Sequence, residues 1–296
     1  MQFQNDKHEE NCKRRSEMER ELNKQQIRQF EAYLLSEERS TATMEKYMHD
    51  IRVFYEFMSD KILNKTAVLA YKSNLLTKYA VTSANSMIAA VNAFFRYLGW
   101  YELCVKQYKI QKPAFCSEEK ELTKAEYIRL IEAARRKGNG KLNLIIQTIC
   151  GSGIRVSELQ YITVEAVKRG EAFVNCKGKS RRIFIVAALR KRLLQYIKTQ
   201  DIKSGAVFVT KNGKPVSRHN IWRDMKSLCQ DAGVSPSKVF PHNLRHLFAR
   251  TFYGIEKDIA KLADILGHTS INTTRIYIVT TGIEHKRKME NMRLII

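Results

Sequence analysis

Six side chains in four short segments are of the kinds that act on phosphates. Arg155 directly follows the glycine-rich turn in GSGIRVSEL, and Lys177 sits in VNCKGKSRRIFIV. His242 and Arg245 lie three apart in FPHNLRHLF, so a helix would put them on one face. His268 and Tyr277 complete the set in LGHTSINTTRIY. Arginines fork onto the non-bridging oxygens of a phosphate and stabilise the charge that grows in the transition state. Histidines hydrogen-bond or move protons near neutral pH, and a lysine can protonate a departing 5′ oxygen. A tyrosine, with an ordinary pKa of about 10, attacks once its proton is taken and leaves a covalent phosphotyrosine. The inventory suits phosphoryl transfer at a DNA phosphate with no metal and no other cofactor.

Each residue alone has a plainer reading. An arginine after a turn is usually a surface residue, a lysine on a hairpin tip is usually solvated, and a tyrosine in an apolar helix is usually core. His242 and His246 are four apart, yet no Glu follows the first His and no third ligand is evident, which argues against a metal site. GNGK at 138–141 lacks the rest of a phosphate-binding loop. The nine positions from His268 to Tyr277 would span about 900° on one unbroken helix and point the two side chains apart. Gly267, however, suits a left-handed helix end, and Thr269 or Ser270 suits a new start. A bend at that point lets both side chains face one phosphate.

Charge narrows the partner. The 296 residues carry a net charge of +22, which favours a polyanion, with an anionic membrane surface as the other option. Residues 117–296 hold 34 Lys and Arg against 16 Asp and Glu, whereas 1–116 hold 18 against 14, so the stronger grip is C-terminal. No apolar run reaches the roughly 20 residues a membrane span needs, and the N-terminus shows no secretory pattern. Cysteines at 12, 104, 116, 150, 176 and 229 form no CxxC pair and read as reduced, buried thiols of a cytoplasmic protein.

The elements that must position these residues are mainly helical. Residues 1–25 read as a charged tail, frayed or marginally helical. A helical bundle is expected over 26–110. Ser40 and Thr41 are candidate caps for a helix with Met44, Tyr47, Met48, Ile51, Tyr55 and Met58 on one face. A second helix is expected near 66–79. A third, from Thr82 or Ser83 to Gly99, would bury Met87, Ile88, Val91, Phe94, Phe95 and Leu98. Pro113 marks a linker at 111–120, and Thr123 to Glu126 is a capping box that opens a second domain over 121–296. That domain is expected to be mixed α/β. EAFVNC and RRIFIVA form a hairpin through KGKS, AVFVT adds a third short strand before an Asn212–Gly213 turn, and helices follow near 218–232, 242–253, 257–266 and before Tyr277.

The order and spacing of the four segments resemble the tyrosine recombinases, the phage integrase and Xer-type family. SGIRVSEL is similar to that family's first box, with Arg155 as catalytic arginine and Glu158 as its acidic neighbour. CKGKSRRIFIV is similar to its β-hairpin, with Lys177 as catalytic lysine and Lys179 as the second candidate. PHNLRHLFAR and LGHTSINTTRIY are similar to the remaining boxes, with His242, Arg245, His268 and the nucleophile Tyr277 in the active positions. STATMEKYMHDIRVFYEFM and SANSMIAAVNAFFRYLGW resemble the family's SAM-like core-binding domain, and the likeness covers about 30–290.

The resemblance implies two domains that clamp duplex DNA at specific core sites. Ser40, Thr41, Lys46, Lys179, Arg218 and Asn220 are candidate DNA contacts. It implies a 3′-phosphotyrosine, a free 5′-hydroxyl, strand exchange without metal or ATP, and a homo-tetramer on two duplexes passing through a Holliday junction. Accessory DNA-bending factors and a nucleoid location when bound are further implications. The run after Tyr277, IVTTGIEHKRKMENMRLII, is more similar to integrases of mobile elements than to the shortest Xer forms, with Xer-type resolution as the alternative. Its apolar MRLII end would either dock on a neighbouring protomer or fold back locally. A type IB topoisomerase-like relaxing enzyme and a DNA-binding regulator without catalysis remain the other readings.

Overall fold

The computed structural model describes residues 20–110, 120–176, 179–210, 212–278 and 290–292. Residues 1–19 of the expected tail over 1–25, 111–119 of the expected linker over 111–120, Lys177, and, after Tyr277, 279–289 and 293–296 with most of the MRLII end, therefore lie outside the described residues. The chain divides into two compact units, Met1–Lys112 and Pro113–Ile296.

The first unit is helical where described, apart from a single antiparallel bridge between Arg20 and Leu63. Asn23 opens α1 (Lys24–Ser36): its side chain accepts from the Gln26 N–H, while the Gln26 side chain accepts from the Asn23 N–H, each at 2.9 Å. The helix thus starts two residues before its apolar pattern becomes visible. Helices α2 (Thr41–Met58), α3 (Lys65–Lys78) and α4 (Val81–Tyr97) follow. Ser40 is the N-cap of α2 by backbone only; its hydroxyl bonds the Thr43 hydroxyl instead. The core is aromatic, with Phe30, Phe54, Phe94 and Phe95 fully buried. Phe54 was absent from the expected face of α2, and Leu98, expected inside, is half-buried past the end of α4. Below α4, Asn92 donates to the Val105 carbonyl and accepts from its N–H, and Asn85 does the same for Tyr108. These amides stand in for a strand partner and pin the segment that leaves the unit.

In the second unit the Thr123–Glu126 capping box is formed and opens α5 (Lys124–Arg136). Asn139 caps α6 (Gly140–Ser152), which supplies Ile145, Ile146 and Ile149 to the core. A 3-10 turn (Val156–Tyr161) and α7 (Val164–Arg169) lead to β1 (Glu171–Cys176), antiparallel to β2 (Lys179–Phe184). Cys176 pairs with Lys179 and Asn175 with Ser180, so two residues of KGKS are strand, and only 177–178 lie between the strands. Then come α8 (Ala187–Thr199), α9 (Arg218–Lys226), α10 (Cys229–Ala232), α11 (Pro241–Glu256), α12 (Ile259–Leu266) and α13 (Ile271–Ile278).

Three expectations need correction. AVFVT makes no strand: it holds single bridges, Thr163 to Ala206 and Val209 to Pro215, and Pro215 has no N–H with which to extend a ladder. The expected helix over 218–232 breaks in two, because the Leu228 N–H bonds back three residues to Met225, and Lys137 takes the Ser227 carbonyl at 2.8 Å. Of the described thiols only Cys229 is buried; Cys104 and Cys150 are half-buried. Cys104 follows the surface 3-10 turn Tyr101–Leu103, and Cys150 sits near the end of α6. No helix among the described residues is long and apolar enough to cross a membrane.

Candidate active site

Two glycines make the frame. Gly153 ends α6 at φ +64°, and a Cβ there would lie 2.5 Å from Phe248 Cδ1. Gly267 ends α12 at φ +63°, and a Cβ there would meet Arg181 Cδ at 2.3 Å. Only glycine permits both the left-handed turn and the close approach. The expected bend is therefore present: α12 stops at Gly267, the Ser270 side chain accepts from the Asn272 N–H at 3.2 Å, and α13 starts at Ile271.

Arg245 is the buried centre, 1% exposed on α11, which Pro241 starts at its first position. Its guanidinium donates to the Gly153 carbonyl, to the Leu266 carbonyl at 2.6 Å and to His268 Nε2 at 3.0 Å, and its Nε is the donor left without a partner. It also sits 6.0 Å over the Tyr277 ring. Because Nε2 of His268 accepts from a guanidinium, the imidazole proton is on Nδ1, which faces the buried Thr274 hydroxyl at 2.9 Å. Arg245 thus sets the tautomer, and the Thr274 hydroxyl accepts the Nδ1 proton and holds the ring in place. Thr274→Val is expected to slow DNA cleavage about five- to tenfold, the scale of one ordinary hydrogen bond, in a single-turnover assay.

Arg155 caps the 3-10 turn that contains Glu158. Glu158 Oε2 accepts from the Arg155 backbone N–H at 2.9 Å and Oε1 from its guanidinium at 2.8 Å. Glu158 is buried; its hydrogen bonds and the adjacent arginines outweigh the effect of burial and hold its carboxyl below the ordinary range. It stays charged and aims Arg155, whose side chain remains 41% exposed. A cleft of about 550 Å³ is bounded by Arg155, Arg218, Trp222, Pro241, His242 and Arg245.

Tyr277 stands among aromatic rings. Its hydroxyl is 3.3 Å from His242 Nε2, and its ring stacks on His246 at 4.2 Å, with the His268 ring 5.1 Å away. Burial first, and then Arg245, Arg218 and Arg155, lower the pKa of His242, so it is neutral at pH 7 and able to accept the phenol proton. A phosphate entering the cleft would offset the arginine charges and strengthen that base.

Burial first, then His242 and Arg245 for His246 and Arg245 and Arg155 for His268, holds both rings at about 4 against an ordinary 6.5. The unfolded chain takes up these protons below about pH 6.5, and the folded chain does not until about 4. The stability tied to these two rings is therefore intact above pH 6.5 and lost as pH falls toward 4. Urea unfolding at pH 7.5, 5.5 and 4.5 should show the loss, on the order of 3 kcal/mol for the more enclosed His246 and less for His268.

Of the residues singled out by sequence, Arg155, Glu158, His242, Arg245, His268 and Tyr277 come together here. Lys177 lies outside the described residues, and of Lys179 only the strand position is placed. Arg218 joins the cleft, but Asn220 borders a separate cavity with Lys141 and Arg223. Ser40, Thr41 and Lys46 belong to the other unit, where Lys46 pairs with the buried Asp50. Sequence reasoning missed Thr274, His246 as a ring partner, and Arg181. In the sequence His246 reads only as the second half of a possible metal pair with His242. Among the described residues no cluster of three or more His, Cys, Asp or Glu is placed to hold a metal ion.

The chain matches known proteins along nearly its whole length. The model of the phage integrase family covers residues 120–281, and that of the phage integrase N-terminal SAM-like domain covers 27–102. Tyrosine recombinase XerA of Pyrococcus furiosus is 30% identical over 289 residues, 94% of this chain and 97% of that protein. Tyrosine recombinase XerC of Herpetosiphon aurantiacus is 28% identical over 86% of this chain and 90% of its own. A lambda integrase dimer bound to a core site has a like fold, with a TM-score of 0.70 at 18% identity, over 86% of this chain and 94% of that one. With one family model spanning the unit that carries the arginines, histidines and tyrosine, and another spanning the helical unit before it, the chain belongs to the phage integrase family of tyrosine recombinases, enzymes that cleave and transfer DNA strands.

Proposed function

We propose that this chain exchanges strands between two specific duplex sites, with Tyr277 as nucleophile. The observation that carries the reading is the Tyr277 hydroxyl 3.3 Å from a neutral His242, beside the buried Arg245 guanidinium. Arg155 and Arg245 bind the non-bridging oxygens of the scissile phosphate, and Glu158 aims Arg155. His242 takes the phenol proton as the Tyr277 oxygen bonds to phosphorus. The bond to the 5′ oxygen breaks, and Lys177 delivers a proton to that oxygen. A 3′-phosphotyrosine and a free 5′-hydroxyl remain, and a 5′-hydroxyl from the partner duplex reverses the step. Tyr277 is only 6% exposed, so its phenol swings out from the rings to attack.

The helical unit over 26–110 and the catalytic unit over 121–296 together hold the DNA, with Arg218 the best placed of the proposed contacts at the cleft wall. Ser40, Thr41, Lys46, Lys179 and Asn220 are proposed as further contacts. Four protomers act on two duplexes, an arrangement supported by the fold shared with a lambda integrase tetramer bound to a Holliday junction. The protein works in the cytoplasm, at the nucleoid, with DNA-bending factors as accessory partners.

Two roles fit this chemistry. Integration and excision of a mobile element is the first, on the character of the run after Tyr277. Xer-type resolution is the second, favoured by XerA matching the chain over 94% of its length. Trapping the covalent adduct on whole-genome DNA and sequencing the attached ends separates them. Resolution gives one chromosomal locus. Integration gives element ends with several unlike targets. Adducts spread without site preference would contradict both and favour a relaxing enzyme.

A further inference from the structure

Arg181 takes no part in the chemistry proposed above, yet its guanidinium bonds two of the segments that frame the site. It stands on β2 opposite Val174, on the strand face that also buries Ile183. One end of its guanidinium is ion-paired with Glu158 Oε2, and the other donates to the Ile265 carbonyl at 2.5 Å. Its stem lies against Gly267, in the space a Cβ would occupy. Its side chain is 11% exposed, and its Nε is buried without a partner.

Such a group is not explained by stability. A buried ion pair gains little over an apolar residue of the same shape, and here Arg155 and Arg245 add like charge nearby. What the contacts share is their targets. Glu158 orients Arg155, Ile265 lies in the last turn before His268, and Gly267 is the bend itself. Sharing the Glu158 carboxylate between two guanidiniums also leaves more of the Arg155 charge available to a phosphate.

We propose that Arg181 is a positioning residue, which ties the hairpin to the Arg155–Glu158 turn and the Gly267–His268 bend and so fixes Arg155 directly, and Arg245 through its bond to His268, against the scissile phosphate. This rests on the reading that Arg155 and Arg245 bind that phosphate.

The test uses the full chain with Arg181→Met and Arg181→Lys, beside wild type and Tyr277→Phe. It measures single-turnover cleavage of a nicked suicide duplex, the Kd for that duplex and the thermal midpoint. A displacement of about 1 Å at a reacting group slows chemistry roughly 100-fold. Arg181→Met is therefore expected to cleave 30- to 100-fold slower with Kd within threefold of wild type. Arg181→Lys should recover less than tenfold of that, because one ammonium cannot span Glu158 and Ile265. The losses from Arg181→Met and Glu158→Gln should also fall short of additive. Wild-type cleavage by either folded variant would overturn the proposal. So would a rate loss matched by an equal loss of DNA binding, or failure of both variants to fold, which would make Arg181 a stability residue. If Tyr277→Phe itself still forms adduct, the reading of the site fails instead, whatever Arg181 does.

Discussion

Tyr277→Phe is expected to abolish the covalent protein–DNA adduct while the protein still binds its duplex. The phenol oxygen is the atom that would bond to phosphorus; it stands 3.3 Å from His242 Nε2, and the Arg245 guanidinium lies 6.0 Å from the Tyr277 ring. Losing a covalent nucleophile costs on the order of a million-fold in rate, which puts the adduct below detection. The fold should tolerate the change. Phe keeps the ring stacked on His246 and the contacts with Ala249, Leu262 and Leu266. One 3.3 Å hydrogen bond is lost, worth about 1 kcal/mol. Denaturing gels of a suicide substrate measure the adduct, and a mobility shift measures binding.

Arg245→Lys should be the second most damaging change, and for two separable reasons. The guanidinium reaches Gly153, Leu266 and His268 at once, which a single ammonium cannot do. Two buried carbonyls then lose a charged donor, so a thermal or urea melt should show a loss of about 3 kcal/mol. The site also loses a fixed cation where negative charge develops, so cleavage by the folded fraction should fall about 100- to 1,000-fold. Burial and the neighbouring Arg155 already bring the Arg245 pKa down to about 10, still well above neutral. Its charge is therefore intact at working pH, and the defect should not be recovered by raising or lowering pH between 6 and 9. The DNA Kd should change far less than the rate, because Arg245 is enclosed, whereas Arg155 and Arg218 stand on the cleft wall.

Much of this site was legible in the sequence, and the reasons are local. Gly267 followed by Ser270 announces a helix end and a helix start, and the structure bends there. Arg155 and Glu158 lie three apart in one turn, a spacing that brings charges into contact. His242 and Arg245 lie three apart, a spacing that puts them on one helix face. What stayed hidden depends on partners distant in sequence. Arg181 looks like one more lysine or arginine in a basic hairpin, and only its meeting with Glu158 and Gly267 shows that it points inward. Thr274 is a helix threonine of no distinction until His268 lies against it. The expected strand at AVFVT failed on Pro215, whose missing N–H counts only once the residue opposite is known. The first unit shows the same division: its helices follow apolar spacing, whereas the Asn85 and Asn92 clamps on residues 105 and 108 required the fold.

On the proposed mechanism one phenol oxygen, that of Tyr277, becomes joined to DNA. Its most direct test is to trap the wild-type protein on a suicide duplex, digest with trypsin and sequence the nucleotide-bearing peptide by mass spectrometry. The expected product is a 3′-phosphate ester on the peptide that follows Arg275, at Tyr277. An ester on any other residue, or a 5′-linked nucleotide, would contradict it.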